Sequence, residues 1–217
     1  MVSVLLEVRG VRKRLGGRWV LDGVSLEWPG PGVIAIAGEN GAGKSTLLRI
    51  VAGILAADEG TVTIAGARLQ CRRELALAHL GYAPDSGELP PYLTTNGLVA
   101  LIATLKRAAR PSPALIERLG VASFLDQPFA SLSLGQRRRA SLLAALTGDP
   151  DLLVVDEPTN GLDAEGRAML VALLEEREAA GGASLIATHD GPFIEAIARQ
   201  CHDLAQGKLS IRPGFHH

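Results

Sequence analysis

Residues 38–46, GENGAGKST, restrict the fold of this chain more than any other stretch. The segment follows the apolar run VIAIA and precedes LLRIVAG, whose apolar spacing is that of a helix. The pattern G-x-x-x-x-G-K-[ST] between a buried strand and a helix is typical of a phosphate-binding loop, in which backbone N–H groups converge on phosphate oxygens. The segment therefore predicts a strand, a phosphate-binding loop and a helix, in that order.

Three apolar runs, GVIAIAG, DLLVVDE and ASLIATHD, fit strands that are covered on both faces, as in a parallel sheet. The helical pattern AEGRAMLVALLEEREAAG lies between the second and third runs. Because apolar strands alternate with helices, we expect a doubly wound sheet that binds ligands at the carboxyl ends of its strands. A weaker buried strand is expected at AHLGYAP.

The first 30 residues alternate apolar and polar side chains around Gly16-Gly17, and GTVTIAG continues this alternation. Both stretches predict an antiparallel sheet, with a hairpin at the two glycines. From residue 86 to residue 146 the pattern is helical: NGLVALIATLKRAA is expected to run towards Pro111, and Ser112 is expected to cap the next helix. We therefore expect an α/β fold with a mainly parallel sheet, an N-terminal antiparallel β subdomain and an inserted α-helical subdomain.

The composition excludes several classes of protein. A net charge of −1 gives no electrostatic argument for nucleic acid, and two cysteines are too few for a disulfide framework, so both are expected to be buried thiols in a cytosolic protein. MVSVLLEVRG does not resemble an export leader. The longest uncharged run, 89–105, is shorter than the roughly 20 apolar residues of a membrane helix.

The loop and two strand ends supply candidate catalytic and metal-binding groups. Lys44 is expected to neutralise β- and γ-phosphate charge, and the Ser45 hydroxyl to ligate Mg²⁺. At the end of LLVVDE, Asp156 is expected to hold Mg²⁺, and Glu157 to polarise an attacking water. His189, which ends ASLIATH, is expected to bond both the γ-phosphate and Glu157. The loop residues expected to contact the nucleotide are Gly38, Glu39, Asn40, Gly41, Ala42, Gly43, Lys44, Ser45 and Thr46.

Each of these features also has a purely structural explanation. The glycine-rich segment could be a flexible turn, DEPTNG could cap the turn that follows its strand, and a lone histidine at a strand end is often incidental. The functional interpretation is favoured because the features fall at the same predicted edge of one sheet.

SLSLGQRRR, residues 131–139, provides a second and independent phosphate-binding end. A serine and a glycine that lead into a helix offer exposed N–H groups, a hydroxyl and the positive end of the helix dipole. The three arginines are interpreted as a solvated helix face, with one of them free to pair across the helical segment, so nucleic-acid binding is not expected.

Together these motifs resemble those of an ATP-binding cassette (ABC) ATPase, the nucleotide-binding subunit of an ABC transporter. The resemblance rests on GENGAGKST, LSLGQ, LLVVDE, NGLD and ATHD, in family order and spacing, and it covers nearly the whole chain. It implies a P-loop NTPase fold over residues 1–217, with a core of 1–85 and 147–217 and a helical subdomain of 86–146. It also implies ATP and Mg²⁺ as cofactors.

The family further implies a head-to-tail pair of chains, homodimer or heterodimer, with ATP between them. Ser133, Gly135 and Gln136 of one chain would close over the nucleotide that Lys44 of the other chain holds, and Asp163 would contact the opposite site. Integral membrane transporter subunits are the implied partners, so the chain is expected on the cytoplasmic face of the membrane. ELPPYLTT, residues 88–95, would form part of the groove for a helix of those subunits.

Three positions depart from the family pattern. Leu15 stands where an aromatic side chain usually stacks on adenine, and Trp19 is a weak candidate substitute. Asp85 stands where the family has a glutamine, and it is expected to offer an oxygen to Mg²⁺ or its water. Leu134 replaces the first signature glycine. The last two departures resemble bacitracin- and lantibiotic-type export ATPases, so the expected function is ATP hydrolysis that drives an exporter. The alternatives are a soluble non-transport ABC ATPase and a weakly hydrolysing nucleotide clamp.

Overall fold

A computed structural model describes residues 4–85 and 89–215. Within these residues the strands are β1 (Leu6–Leu15), β2 (Arg18–Trp28), β3 (Gly32–Ala37), β4 (Glu59–Ile64), β5 (Ala67–Arg68), β6 (Leu80–Ala83), β7 (Leu152–Asp156), β8 (Ala183–Ala187), β9 (Ala198–Ala205) and β10 (Lys208–Ile211). The α-helices are α1 (Lys44–Val51), α2 (Arg73–Ala78), α3 (Thr95–Lys106), α4 (Pro113–Arg118), α5 (Leu134–Ala145), α6 (Ala164–Ala179) and α7 (Gly191–Ile197).

The larger sheet has the strand order β10-β9-β3-β8-β7-β6 and is parallel except for β10. Every residue of β3, β7 and β8 is buried, because helices or the second sheet cover both faces of these strands. The parallel sheet predicted from the apolar runs is confirmed. The strand β9 was not predicted, since ARQCHDLA mixes polar and apolar residues without a clear period.

The smaller sheet is antiparallel, with the order β2-β1-β4-β5. Gly16 and Gly17 join β1 to β2 with φ values of 56° and 81°. Positive φ at both central residues is the requirement of a two-residue hairpin turn that follows the strand twist, and glycine meets it without strain. The predicted antiparallel part and its hairpin are confirmed.

The segment from Thr94 to Leu146 contains α3, α4, α5 and two short 3₁₀ turns, Ala122–Phe124 and Phe129–Ser131. The Thr94 hydroxyl accepts a bond from Gly97 N, and the Ser112 hydroxyl accepts one from Leu115 N, so each caps a helix. The helix α3 ends earlier than Pro111 requires, because Arg107 adopts a left-handed conformation with φ 52°.

Two large cores lie on opposite faces of the parallel sheet. One joins it to the antiparallel sheet and α1, through residues such as Leu6, Leu21, Leu47 and Ile34. The other joins it to the helical segment and α6, through residues that include Val155, Leu143, Phe124 and Leu170. Both cores contain side chains of the parallel sheet, which therefore holds the antiparallel sheet and the helical segment together.

The helical segment is also attached to the sheet by a cation. Lys106, the last residue of α3, donates from Nζ to the carbonyl oxygens of Leu80 (2.6 Å) and Thr147 (3.4 Å). Burial lowers the pKa of Lys106.

Two expectations drawn from composition concern membrane helices and cysteines. Among the described residues, no helix has the length and apolar character needed to cross a membrane. Cys201 is buried as expected, whereas Cys71 is exposed, because it lies in the turn between β5 and α2 and not in a core.

Candidate nucleotide site

The phosphate loop joins the end of β3 to the start of α1. Gly43 caps α1 with φ 104°, and a Cβ there would lie 2.9 Å from Val20 Cγ1. A Cβ on Gly38 would lie 2.5 Å from the carbonyl oxygen of Leu204. Both positions need glycine because the loop turns against β2 and β9 at backbone distance. The N–H groups of the first turn of α1 are thus free to face an anion.

Lys44 is 5% exposed and stands in the first turn of α1. Its Nζ donates to the loop carbonyl oxygens of Gly38 (2.8 Å) and Glu39 (3.2 Å) and lies 3.5 Å from Glu157 Oε1. The loop itself is braced by the bond from Ala42 N to Glu39 O (3.1 Å). A cation held between the loop and a carboxylate is well placed to meet a phosphate at the loop.

Asp156 ends β7 and is 1% exposed. Both of its carboxylate oxygens are buried without a hydrogen-bond partner of good geometry in the described part of the chain. Burial raises the pKa of Asp156, and the Ser45 hydroxyl only partly offsets this. An orphaned buried carboxylate beside a hydroxyl fits Mg²⁺, a cation that binds a few protein oxygens and completes its shell with water and phosphate oxygens.

This magnesium site would depend on the nucleotide. Within residues 4–85 and 89–215, no group of three or more His, Cys, Asp or Glu side chains could hold a metal ion alone. Ser45 and Asp156 therefore form a partial ligand set, which a bound triphosphate would complete.

Glu157 follows β7 with φ 46°, a left-handed conformation that is strained for a residue with a side chain. Its Oε2 accepts a bond from the Thr188 hydroxyl (3.1 Å) and lies 3.0 Å from His189 Nδ1. Lys44 approaches its Oε1, so three groups orient this carboxylate. Sequence reasoning identified Glu157 and His189 and missed Thr188, although a hydroxyl beside the histidine in ATHD was a usable signal.

These groups share a cavity of about 480 Å³. Its lining includes both predicted and unpredicted residues: Leu15, Val20, Asn40, Gly41, Gly43, Lys44, Ser45, Thr46, Asp85, Glu157, Asn160 and His189. Most of the predicted loop and catalytic residues are thus brought together. Asp156 lies behind the lining, and Val20 and Asn160 were not predicted.

At one end the lining is apolar, with Leu15 and Val20. Trp19 is not part of the lining. Its ring is covered by the guanidinium of Arg14 at 4.7 Å and by that of Arg12 at 5.7 Å, in a cation–π cluster. This end of the cavity therefore presents an aliphatic surface, and no aromatic ring, to a nucleotide base.

The signature residues are not part of this cavity lining. Ser133 caps α5 in a capping box: its hydroxyl accepts a bond from Gln136 N (3.3 Å), and its N–H donates to Gln136 Oε1 (2.8 Å). The Gln136 side chain is therefore occupied within its own chain. The signature end of α5 is an exposed helix N-terminus that does not line the cavity of its own chain.

Leu134 is half-exposed and packs on the loop before α6, where a Cβ on Gly161 would lie 2.6 Å from Leu134 Cγ. Gly135 approaches the same loop, since a Cβ there would lie 2.8 Å from the Gly161 carbonyl oxygen. Asp163 caps α6 by accepting a bond from Gly166 N (2.8 Å), and Arg139 lies 3.6 Å from it. These residues form a second cluster, outside the cavity.

Asp85 lines the cavity, and its Oδ1 accepts a bond from Arg138 (2.6 Å). The interpretation of the three arginines as a solvated face is wrong for Arg138, which is 2% exposed. The reason is that α5 packs against β6 and β7 on the side where Arg138 finds three oxygen acceptors. Nothing in the sequence distinguishes Arg138 from its two neighbours.

Comparisons with known proteins agree with this geometry. The family model described as ABC transporter matches residues 21–160. The Nod factor export ATP-binding protein I of Paraburkholderia xenovorans is 34% identical over 209 residues, which are 94% of this chain and 68% of that protein. An uncharacterized ABC transporter ATP-binding protein of Bacillus subtilis, YdbJ, is 32% identical over 217 residues, 99% of this chain and 68% of its own length. Across such relatives the chain spans between 60% and 68% of their length.

Solved structures show the same fold. An ATP-binding subunit of an ABC transporter superposes with a TM-score of 0.86 at 26% identity, and the match covers 96% of this chain and 89% of that one. The ATP-binding cassette MJ0796, solved as a dimer bound to ADP and Pi, superposes with a TM-score of 0.81 at 23% identity over 97% of this chain and 100% of its own. The chain belongs to the ABC transporter family, as its ordered motifs predicted.

Proposed function

We propose that this chain is the ATP-hydrolysing subunit of an exporter and that it works as a head-to-tail pair with ATP held between two chains. One observation carries the proposal. The chain has two helix N-termini suited to phosphate, at Lys44 and at Ser133, and the second is absent from the lining of the cavity that contains the first. A second chain is needed to bring the two ends to one nucleotide.

Hydrolysis is assigned to the groups around Glu157. Its carboxylate would accept a proton from the attacking water, and His189 and Thr188 would keep it oriented. Lys44 would leave the loop carbonyls for the phosphates and neutralise their charge. Mg²⁺, when held by Ser45 and Asp156, would stabilise the charge that develops on the phosphate oxygens.

In the pair, Ser133 and Gly135 would contact the nucleotide of the opposite chain through their exposed N–H groups. Gln136 would act indirectly, because its side chain is used to fix Ser133. Asp163 and Arg139 would lie where the two chains meet. In this proposal residues 1–217 form one ABC ATPase domain, with 86–146 as its helical subdomain.

A groove between the helical segment and the sheet supports a membrane partner. It has a volume of about 740 Å³ and apolar walls from α2, β6 and α3, including Leu77, Tyr82 and Ile102. Leu105 of α3 lines this groove and is exposed, and Leu101 is exposed on the same helix. We propose that a cytoplasmic helix of the transporter lies in this groove, which would hold the chain at the cytoplasmic face of the membrane.

The expected contribution of 88–95 to this groove has less support. Glu88 lies outside the described residues, and the lining of the groove contains no residue from 89 to 95. Tyr92 is nevertheless 81% exposed, so this stretch is a candidate for the rim. The direction of transport rests on Leu134 and on relatives that are named as export proteins.

The pair is tested with Glu157→Gln, which keeps the shape of the side chain and removes the proton acceptor. With Mg-ATP we expect this variant to bind nucleotide and to form a stable dimer, either alone or with the second ATPase chain of its transporter. Light scattering after size-exclusion chromatography measures the dimer. Glu175→Gln, an exposed glutamate near the end of α6, is the matched control and should not trap a dimer.

A Glu157→Gln chain that binds Mg-ATP and remains monomeric under all these conditions would contradict the paired site. Turnover equal to that of the natural chain would contradict the role of Glu157.

The groove is tested by affinity purification from membranes of the source organism. Leu105→Glu should lose a multi-spanning membrane partner, because it places a charge at an apolar wall. Ile211→Glu is the control, since Ile211 is also apolar and exposed but lies on β10, at the opposite edge of the sheet from β6. Retention of the partner by both variants would argue against this docking site.

A further inference from the structure

Arg138 is a buried cation that the nucleotide chemistry does not use. It projects from α5 and is 2% exposed. Its guanidinium donates to three oxygens: the carbonyls of Pro84 (3.0 Å) and Asp156 (2.9 Å), and Oδ1 of Asp85 (2.6 Å). One side chain of the signature helix thus contacts two of the strand ends that border the nucleotide cavity, those of β6 and β7.

A buried guanidinium needs a counter-charge as well as hydrogen-bond acceptors, because removal from water disfavours its charge. The two carbonyl groups supply only partial charges. Asp85 supplies the full negative charge, through a short charge-assisted bond. A neutral amide at position 85 could accept the same hydrogen bond but would leave the charge of Arg138 uncompensated.

We propose that Asp85 is the counter-ion of Arg138 and that this pair is a positioning device for the signature end of α5, not a part of the magnesium site. Arg138 fixes α5 against the end of β7, where Asp156 lies, and Asp85 holds the charge that makes this contact stable. The proposal rests on the proposed function, since it gives the pair a role in presenting Ser133 to the second chain.

Arg138 and the signature residue Ser133 lie close together along α5. Arg138 lies five residues after Ser133, a rise of about 7.5 Å or somewhat more than one turn. Ser133 is itself fixed to α5 by its capping box with Gln136. A tilt of α5 caused by loss of the Arg138 contacts would therefore move the exposed N–H groups of the signature end.

The experiment is a double-mutant cycle with Asp85→Asn, Arg138→Met and the double variant, in the natural chain and in the Glu157→Gln chain. Asp126→Asn is the control, because Asp126 is an exposed aspartate of the same helical segment that bonds Asn96. Three quantities are measured: the melting temperature without nucleotide, the Kd of the monomer for ATP with and without Mg²⁺, and dimer formation by the Glu157→Gln chains.

Because Arg138 is buried but Asp85 is half-exposed, we expect Asp85→Asn to lower the melting temperature by about 3–10 °C. The same substitution should have little further effect in the Arg138→Met chain. The Mg²⁺ dependence of the monomer Kd should stay within about twofold of its natural value, since Asp85 is not a metal ligand. Dimer formation should weaken by about tenfold or more, an effect of misplaced signature groups. Asp126→Asn should change none of these quantities.

Two results would overturn the proposal: loss of the Mg²⁺ effect on the monomer Kd in Asp85→Asn at an unchanged melting temperature, or an equal effect of Asp85→Asn with and without Arg138. If the Asp85→Asn chain does not fold, the double variant with Arg138→Met is measured instead. Folding of the double variant supports the pair, and its failure to fold contradicts the pair. If the Glu157→Gln chain without further substitutions never dimerises, the proposed function is contradicted. The double-mutant cycle of melting temperatures still tests the Asp85–Arg138 pair in that case.

Discussion

The N-termini of α1 and α5 are both suited to phosphate, yet they are built differently. At α1 the phosphate loop lies beside buried charges, Lys44, Asp156 and Glu157, in a closed group of side chains. At α5 the exposed Ser133 satisfies its own cap through Gln136, and the guanidinium of Arg137 is occupied by the carbonyl oxygens of Leu132 and Ala130. The difference indicates that the groups for hydrolysis lie at the N-terminus of α1, whereas the N-terminus of α5 offers phosphate binding alone. A complete nucleotide site therefore requires both ends.

The sharpest test of this division compares Lys44→Ala with Ser133→Arg. Both should lower the rate of ATP hydrolysis by about 100-fold or more, because each removes a contact to the phosphates of a complete site. Only Lys44→Ala should weaken ATP binding by the monomer, by about tenfold or more. Ser133→Arg should leave monomer affinity within about twofold of natural, as measured by equilibrium dialysis.

Mixing the two variant chains sharpens the comparison further. A mixed pair contains one site with an intact loop and an intact signature, so partial turnover should return. Ser123→Arg, an exposed serine in a 3₁₀ turn of the helical segment, controls for the added arginine. Equal loss of monomer binding in Ser133→Arg, or no recovery on mixing, would break the division between the two ends.

Asp156→Asn tests whether the charge at the α1 end is built for a metal. Since burial raises the pKa of Asp156 above its usual value of 3.8, the folded state binds more protons than the unfolded state between the two pKa values. In EDTA the stability of the natural chain should therefore fall as pH rises through that window. Asp156→Asn should lack this fall and melt about 2–6 °C higher at neutral pH.

Thermal unfolding across pH, with and without Mg²⁺, measures the effect. Mg²⁺ with ATP should stabilise the natural chain and have much less effect on Asp156→Asn. A lower melting temperature for Asp156→Asn in EDTA at neutral pH would mean that the carboxylate is paired within the chain.

Leu15→Tyr tests the base end of the same cavity. An aromatic ring in place of Leu15 should stack on adenine and tighten ATP binding by the monomer by about fivefold or more. The natural chain, with an aliphatic surface at this end, should bind ATP and GTP within about threefold of each other. Isothermal titration measures both, with Ile211→Tyr as the control, and an unchanged affinity in Leu15→Tyr would place the base elsewhere.

Leu134→Gly should have the smallest effect and should act at the α5 end alone. Glycine in the first turn of a helix and the lost contact with Gly161 together should lower the melting temperature by about 2–5 °C. Monomer affinity for ATP should not change. A large loss of monomer affinity on Leu134→Gly would show that the two ends are less separate than the cavity lining indicates.

The sequence predicted those parts of the fold and site that neighbouring residues encode. The strands β3, β7 and β8 are unbroken apolar runs, and the phosphate loop has a fixed spacing of glycines and lysine. β9 could not be predicted, because its burial depends on the strands that flank it on either side. The local pattern is sufficient to predict a strand where the apolar run of that strand alone shows that it is buried.

Contacts between distant segments were the part that the sequence did not reveal. Thr188 meets Glu157 across 31 positions, and Arg138 meets Asp85 across 53. In RRR the three side chains are chemically identical, and only the packing of α5 on β6 and β7 decides which one is buried. Such residues become visible once tertiary structure fixes which face of the helix meets the sheet.

The short edge strand β6 is held from the helical segment at two points. Lys106 binds the carbonyl of its first residue, Leu80, and Arg138 binds that of Pro84, just beyond its last residue. These anchors are about 13 Å apart at the rise of a strand, and the bond from Arg138 to the carbonyl oxygen of Asp156, at the end of the neighbouring β7, lies off the line that joins them. Three anchors that do not lie on one line resist rotation about any axis, so a displacement of β6 and β7 would carry α5 and its signature end along with the sheet.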